Sequence, residues 1–198
     1  MILEKNRNKI IISIAFVVLI IGCMFCILSY TNNNRENEKK TEYLSVSWNY
    51  NYSDIEEMSG DSDLIALATV QGKESVIIED GIPYTVYSVK VDTPIYNSEK
   101  DQIFSIYMTG GETEEKIVEV IDDPLLKSNE KMLVFCKENP DGTYQILSGS
   151  QGRLIYTNGK LNSLNAADAK VRQANPFSNI EVRNADANSM IEKIKEYI

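Results

Sequence analysis

The sequence predicts a mainly β protein: an antiparallel barrel with a short helix at each end, preceded by one transmembrane helix. Three observations predict it. Short segments rich in Val, Ile, Tyr and Phe recur between residues 63 and 161, with turn sequences between them. A side-chain oxygen followed three residues later by Glu occurs on each side of that region, as at helix starts. Residues 10–28 form an unbroken apolar run with no charged side chain.

That run comes first in the chain and sets the address. At about 1.5 Å per residue a helix of this length reaches roughly 28 Å, close to the ~30 Å hydrocarbon core of a bilayer. Lys5, Arg7 and Lys9 precede it, so the positive-inside rule keeps residues 1–9 cytoplasmic and sends the rest outward. No small-x-small cleavage site follows the run, which argues against plain secretion. Ile20-Ile21-Gly22-Cys23 has the form of a bacterial lipobox, which would make Cys23 an acylated N-terminus. Met24-Phe25-Cys26-Ile27-Leu28 stays apolar beyond it, as a bilayer span requires. A signal-anchor is the favoured reading and a lipoprotein anchored at Cys23 its alternative.

Residues 29–42 are mostly polar and charged and read as a flexible stalk. Residues 43–161 form the barrel domain. They open on an aromatic stretch in which Trp48, Tyr50 and Tyr52 share one face at period two, a stripe that suits packing better than a ligand platform. Ser53-Asp54-Ile55-Glu56 reads as a capping box that starts a short helix ending near Gly60. Residues 63–70 are an apolar run of strand length. Asp80-Gly81 turns residues 75–78 back into residues 84–91, where Tyr87, Val89 and Val91 alternate with Val86, Ser88 and Lys90. Residues 103–108 and 116–121 are further strands around a Gly110-Gly111 loop. Asn139-Pro140-Asp141-Gly142 joins strands at 130–137 and 143–147, and Asn158-Gly159 is a type I′ hairpin signal. Residues 162–198 are an irregular extension, closed by a helix that Ser189-Met190-Ile191-Glu192 caps. Its Met190, Ile191, Ile194 and Ile198 lie along one side, suited to docking on the barrel.

Composition narrows the chemistry. The chain carries −9 overall, and with +2 on the first nine residues the remainder carries −11. Such a surface repels phosphate backbones and disfavours nucleic acid as a partner. There is no histidine, which removes Ser-His-Asp and Cys-His catalysis and histidine-ligated zinc. Cys136 is the only cysteine beyond residue 26 and sits in Leu133-Val134-Phe135 company, as a buried strand thiol does. Acid clusters remain: Asp61-Ser62-Asp63, Glu79-Asp80, Asp122-Asp123, and Glu112, Glu114 and Glu115 after Gly110-Gly111. Turn and cap roles suit them best, with calcium at the Asp-x-Asp spacing as the alternative. No cofactor is implied.

Several segments together resemble small membrane-anchored, extracytoplasmic β-barrel proteins of low-GC Gram-positive bacteria. They are Ser62-Asp63-Leu64-Ile65, Tyr84-Thr85-x-Tyr87-x-Val89-x-Val91, Gly110-Gly111, Asn129-Glu130-Lys131-x-Leu133-Val134-Phe135 and Ser148-Gly149-Ser150-Gln151-Gly152. Their order is also similar to the netrin/tissue-inhibitor type of OB-fold barrel, so the resemblance implies an OB-like barrel. The cysteine framework of netrin-type modules is absent, and their inhibitory cysteine wedge does not carry over. The expected function is a non-enzymatic binding or assembly module of the cell envelope, tied to the membrane by its N-terminal helix and able to hold an envelope protein partner. Gly110 and Gly111 with their acidic loop, and Gln151, Gly152 and Arg153, are the candidate recognition residues, since strand-end loops often carry binding groups. A carboxylate-dependent envelope hydrolase and a calcium-stabilised structural module are the alternatives.

Overall fold

The computed structural model describes residues 39–164 and 180–198, together with Gly22 and Met24. The apolar run, Cys23, most of the stalk and the middle of the C-terminal extension lie outside the described residues. Among the described residues no helix is long and apolar enough to cross a membrane.

The elements are β1 (Lys40–Leu44), α1 (Ile55–Asp61), β2 (Leu64–Glu79), β3 (Ile82–Tyr96), β4 (Ile103–Thr109), β5 (Gly111–Glu112), β6 (Lys116–Val120), β7 (Lys131–Glu138), β8 (Tyr144–Ile146), β9 (Arg153–Thr157), β10 (Lys160–Ser163), β11 (Ala185–Asp186) and α2 (Ala187–Lys195), with a 3-10 turn at Gly149–Gly152. The neighbour order β7-β2-β3-β4-β8 closes on itself because β8 also pairs with β7. This is a five-stranded barrel, compatible with an OB-like fold. Closure removes the open edges of the five strands where they pair. Within the barrel one pair departs from the antiparallel expectation: β4 and β8 run parallel, because a long excursion through β5, β6 and β7 separates them. Beyond β7 the sheet continues through β9, β10 and β11.

Burial explains the two most apolar strands. Leu64, Ala66, Ala68 and Val70 of β2 and Met132, Val134 and Cys136 of β7 face the barrel interior with Tyr87, Val89, Val91, Phe104, Ile106 and Met108. Ile65 and Leu67 of β2 and Leu133 and Phe135 of β7 face outward, under Met58 of α1 and Ile191 and Ile194 of α2. Strands covered on both faces have no polar side to alternate with, and here the two helices form the second cover. The docking expected of the C-terminal helix is therefore observed, although Ile198 is exposed.

Four expectations shift in detail. The two segments read at 63–70 and 75–78 are one strand, β2. Gln71-Gly72 is absorbed where the register with β3 slips between Val70 and Gly72, a bulge that coils the strand. The first helix is capped by Asp54, whose carboxylate accepts from Glu57 N at 2.9 Å while Glu57 accepts from Ser53 N at 2.8 Å. The box thus sits one residue later than read, and α1 runs through Gly60. The second helix is capped by Asp186, which accepts from Ser189 N at 3.0 Å, so it starts before Ser189. Finally, Lys40–Leu44, partly inside the range read as stalk, is a strand running parallel to β6 in a small sheet of order β1-β6-β5.

Candidate functional site

Arg153 opens β9 directly after the Gly149–Gly152 turn. It lies opposite Val134 of β7, which turns its side chain to the barrel side of the sheet. Its side chain is 1% exposed. Two carboxylates meet it there. Asp123 Oδ1 lies 3.1 Å from Nη2 and Glu130 Oε1 lies 3.7 Å from Nη1; Nη2 also donates to the Pro124 carbonyl. The pairing is incomplete, since Asp123 Oδ1, Glu130 Oε1 and Arg153 Nε are buried without an aligned hydrogen bond. Burial pushes the Asp123 carboxyl up to about 6; Asp122 and Glu130 push the same way, and the Arg153 attraction does not overcome them. Burial also raises Glu130, against the pull of Arg153 and Lys127.

Residues 122–126 hold this cluster in place. Asp122 accepts the Trp48 indole N–H at 2.9 Å, Pro124 takes Arg153, and Leu126 inserts into the barrel core. Trp48 in turn lies on Gly149, where a Cβ would overlap its ring. The strap that follows is fixed along its length. Ser148 Oγ donates to the Tyr50 carbonyl at 2.5 Å, Gln151 Oε1 accepts from Tyr52 N at 3.1 Å, and the Tyr52 hydroxyl reaches Asp61 at 2.5 Å. The Trp48, Tyr50 and Tyr52 stripe therefore serves packing: Tyr52 is buried and Trp48 half-buried, while Tyr50 remains exposed and donates to Glu57. Beside Arg153 a cleft of about 230 Å³ is lined by Tyr43, Glu119, Pro124, Leu125, Lys127 and Glu130 among others.

The candidate residues fall in two places. Gln151, Gly152 and Arg153 are buried; a Cβ on Gly152 would overlap the Leu147 carbonyl. The Gly110-Gly111 pair lies where β4 passes into β5. Gly110 takes φ +104°, and a Cβ there would come within 2.7 Å of the Val118 carbonyl oxygen. A Cβ on Gly111 would come within 2.7 Å of Thr85 Oγ1 and 3.2 Å of Val76 and Pro83. The glycines thus bring the loop of Glu112, Glu114 and Glu115 against the β2–β3 hairpin, with Lys73 Nζ 3.9 Å from Glu112. Ile77 and Ile78 stand exposed on that hairpin, Ile78 at 63%. Tyr84, directly opposite Ile77, stacks on Tyr107 of β4 with centroids 5.1 Å apart.

The other acid clusters have local partners. Lys137 Nζ lies 3.4 Å from Asp61 and 3.3 Å from Asp63, and Asp63 also accepts Glu138 N at 3.0 Å. That backbone bond, with Lys137, holds the Asp63 carboxyl below its usual range. Asp80 and Gly81 form the hairpin turn at φ +49° and +79°. Among the described residues no three His, Cys, Asp or Glu side chains are grouped to hold a metal ion. Cys136 is buried, and burial pushes its thiol far up.

Sequence reasoning missed the Arg153–Asp123–Glu130 constellation and the apolar hairpin tip. Asp122-Asp123-Pro124 and Arg153 were each visible, but 30 residues of chain separate them and no spacing rule joins them. Comparison with protein families, with curated proteins and with solved structures gave no match.

Proposed function

We propose that the chain is a membrane-anchored, outward-facing binding and assembly module of the cell envelope, built on an OB-like barrel and non-enzymatic. The N-terminal apolar run with its basic flank supplies the anchor in this reading. One observation carries the binding surface: the acidic loop after Gly110-Gly111 packs on the face of the β2–β3 hairpin formed by Val76, Thr85 and Pro83, which also carries the exposed Ile78, while the exposed Ile77 stands beside Tyr84 on the other face. Exposed apolar side chains gathered beside charge are the composition of a protein-recognition patch. The −11 balance of the exterior residues supports a protein partner over nucleic acid.

The test is crosslinked affinity capture of the tagged full-length chain from native membranes, beside a variant carrying Ile77→Ser, Ile78→Ser, Glu114→Lys and Glu115→Lys. The expected result is one reproducible envelope protein with wild type, lost with a variant whose melting temperature is unchanged. Capture that survives those four substitutions removes this surface from the proposal.

A second reading, a carboxylate-dependent envelope hydrolase, has Asp123 and Glu130 in its favour. Both are raised carboxyls on one cationic side chain beside a cleft, the kind of perturbation active sites build. The 1% exposure of Arg153 and 8% of the Asp123 side chain weigh against it. Release of reducing sugar or amine from purified envelope, abolished by Glu130→Gln, would establish the enzyme.

A further inference from the structure

We propose that the Asp123–Arg153–Glu130 cluster is an acid-strengthened fastening, one that holds residues 122–126 and the Trp48 strap against the barrel more firmly as the surroundings turn from neutral to mildly acidic. The geometry supplies the reason. One guanidinium faces two carboxylates in a place where both Arg153 and Asp123 are largely buried, and an unpaired buried charge is costly. Asp123 Oδ1 and Glu130 Oε1 each lack an aligned donor. A proton on one carboxyl removes the surplus charge and leaves the guanidinium paired with the other. The segment that gains is structural: Asp122 grips the strap through Trp48, and Leu126 plugs the core.

The groups facing the cluster are known from each side. Arg153 comes from β9, Glu130 from the approach to β7, Asp122 and Lys127 from the segment itself, and Tyr87 from β3. Glu119 of β6 lines the adjoining cleft. With the Asp123 carboxyl at about 6 instead of 3.8, the folded chain holds that proton about a hundredfold more tightly than the unfolded one. A raised acid stabilises the fold fully below its unfolded value, and the benefit is lost as pH rises through about 6. Carboxyls held low, such as Asp63 and Asp186, act in the opposite sense but titrate below the ordinary range. Their loss, with that of the lowered Glu42 and Glu57, sets in near the ordinary carboxyl values, so the interval from about pH 5.5 to 7.5 isolates the cluster.

Trp48 is the only tryptophan in the chain, and its indole N–H already bonds to the neighbour of Asp123. The experiment follows that indole resonance, and the Asp123 side-chain carboxyl carbon, in the full-length chain in detergent micelles from pH 7.5 to 4.5. A shared transition near pH 6 is expected, with a urea midpoint that rises between about pH 7.5 and 5.5. Asp123→Asn should abolish the transition, and Glu130→Gln should move it to lower pH by removing a repelling charge. A flat indole, a transition that survives Asp123→Asn, or a urea midpoint that falls between about pH 7.5 and 5.5 overturns the proposal. If Asp123→Asn does not fold, the wild-type carboxyl carbon decides: titration below pH 4.5 overturns it equally.

Discussion

Replacing Arg153 by Met removes the one cation that, among the described residues, lies within ion-pair distance of both Asp123 and Glu130, while keeping most of its volume. At pH 7.5 two carboxylates are then buried without their ion-pair partner, with only the Lys127 attraction left on Glu130. Breaking a buried ion pair from one side costs about 3–5 kcal/mol, because desolvation is left uncompensated. With a urea slope of about 2 kcal/mol per M, the unfolding midpoint followed by circular dichroism should fall by about 2 M. The penalty should also depend on pH. Without Arg153 both carboxyls rise further and the folded variant takes up two protons that the unfolded chain does not hold. It then recovers up to about 2.7 kcal/mol per pH unit of acidification, at ~1.36 kcal/mol per proton. The gap between variant and wild type should therefore narrow sharply between pH 7.5 and 5.5. Adding Asp123→Leu and Glu130→Met to Arg153→Met should restore most of the loss, since an apolar set of similar volume needs no counter-charge. A destabilisation below about 1 kcal/mol, or one that is equal at both pH values, would refute the reasoning.

Three further outcomes can be measured in the same way. Gly149→Ala should cost about 2–3 kcal/mol in urea unfolding, because the residue holds φ +56° and its Cβ would overlap the Trp48 ring. Gly60→Ala should instead stabilise by about 0.5–1 kcal/mol, since Gly60 lies inside α1 with open space where the methyl would go. Cys136 should resist a thiol reagent at pH 8 until denaturant is added, as burial pushes its thiol up and hides it.

Pattern reached the strands whose faces differ. Tyr87, Val89 and Val91 alternate with the half-exposed Ser88, Lys90 and Asp92, and that alternation shows which side meets the barrel interior. It reached the turns too, because Asn158 and Gly159 both take positive φ, as a type I′ hairpin demands. It failed where tertiary structure overrode local preference. Gln71-Gly72 reads as a break, yet β2 continues through it, since pairing with β3 tolerates a bulge there. Closure through the parallel β4–β8 pair has no local signature at all. Nor does the Arg153 cluster: each member is an ordinary charged residue in sequence, and only burial by a distant chain segment turns three of them into one site.

The Asp61-Ser62-Asp63 corner gives the sharpest contrast between a motif and its use. The spacing suits a calcium loop, and such an ion takes six to eight oxygens. Here the position a cation would take between the two carboxylates holds the Lys137 ammonium, at 3.4 and 3.3 Å. Two more acceptor sites are filled by the Tyr52 hydroxyl and Glu138 N. Calcium would have to displace Lys137 and still lack ligands. A site with a Kd of 0.1 mM would add about 1.4 kcal/mol at 1 mM calcium, a rise of roughly 3 °C for a domain of this size. Wild type should show no such rise in a thermal melt. Lys137→Met, which empties the position and leaves the carboxylates repelling each other, should melt lower and recover part of the loss with calcium. A wild-type rise of several degrees would mean that the corner is a metal loop, and that Lys137 is displaced from it when calcium is present.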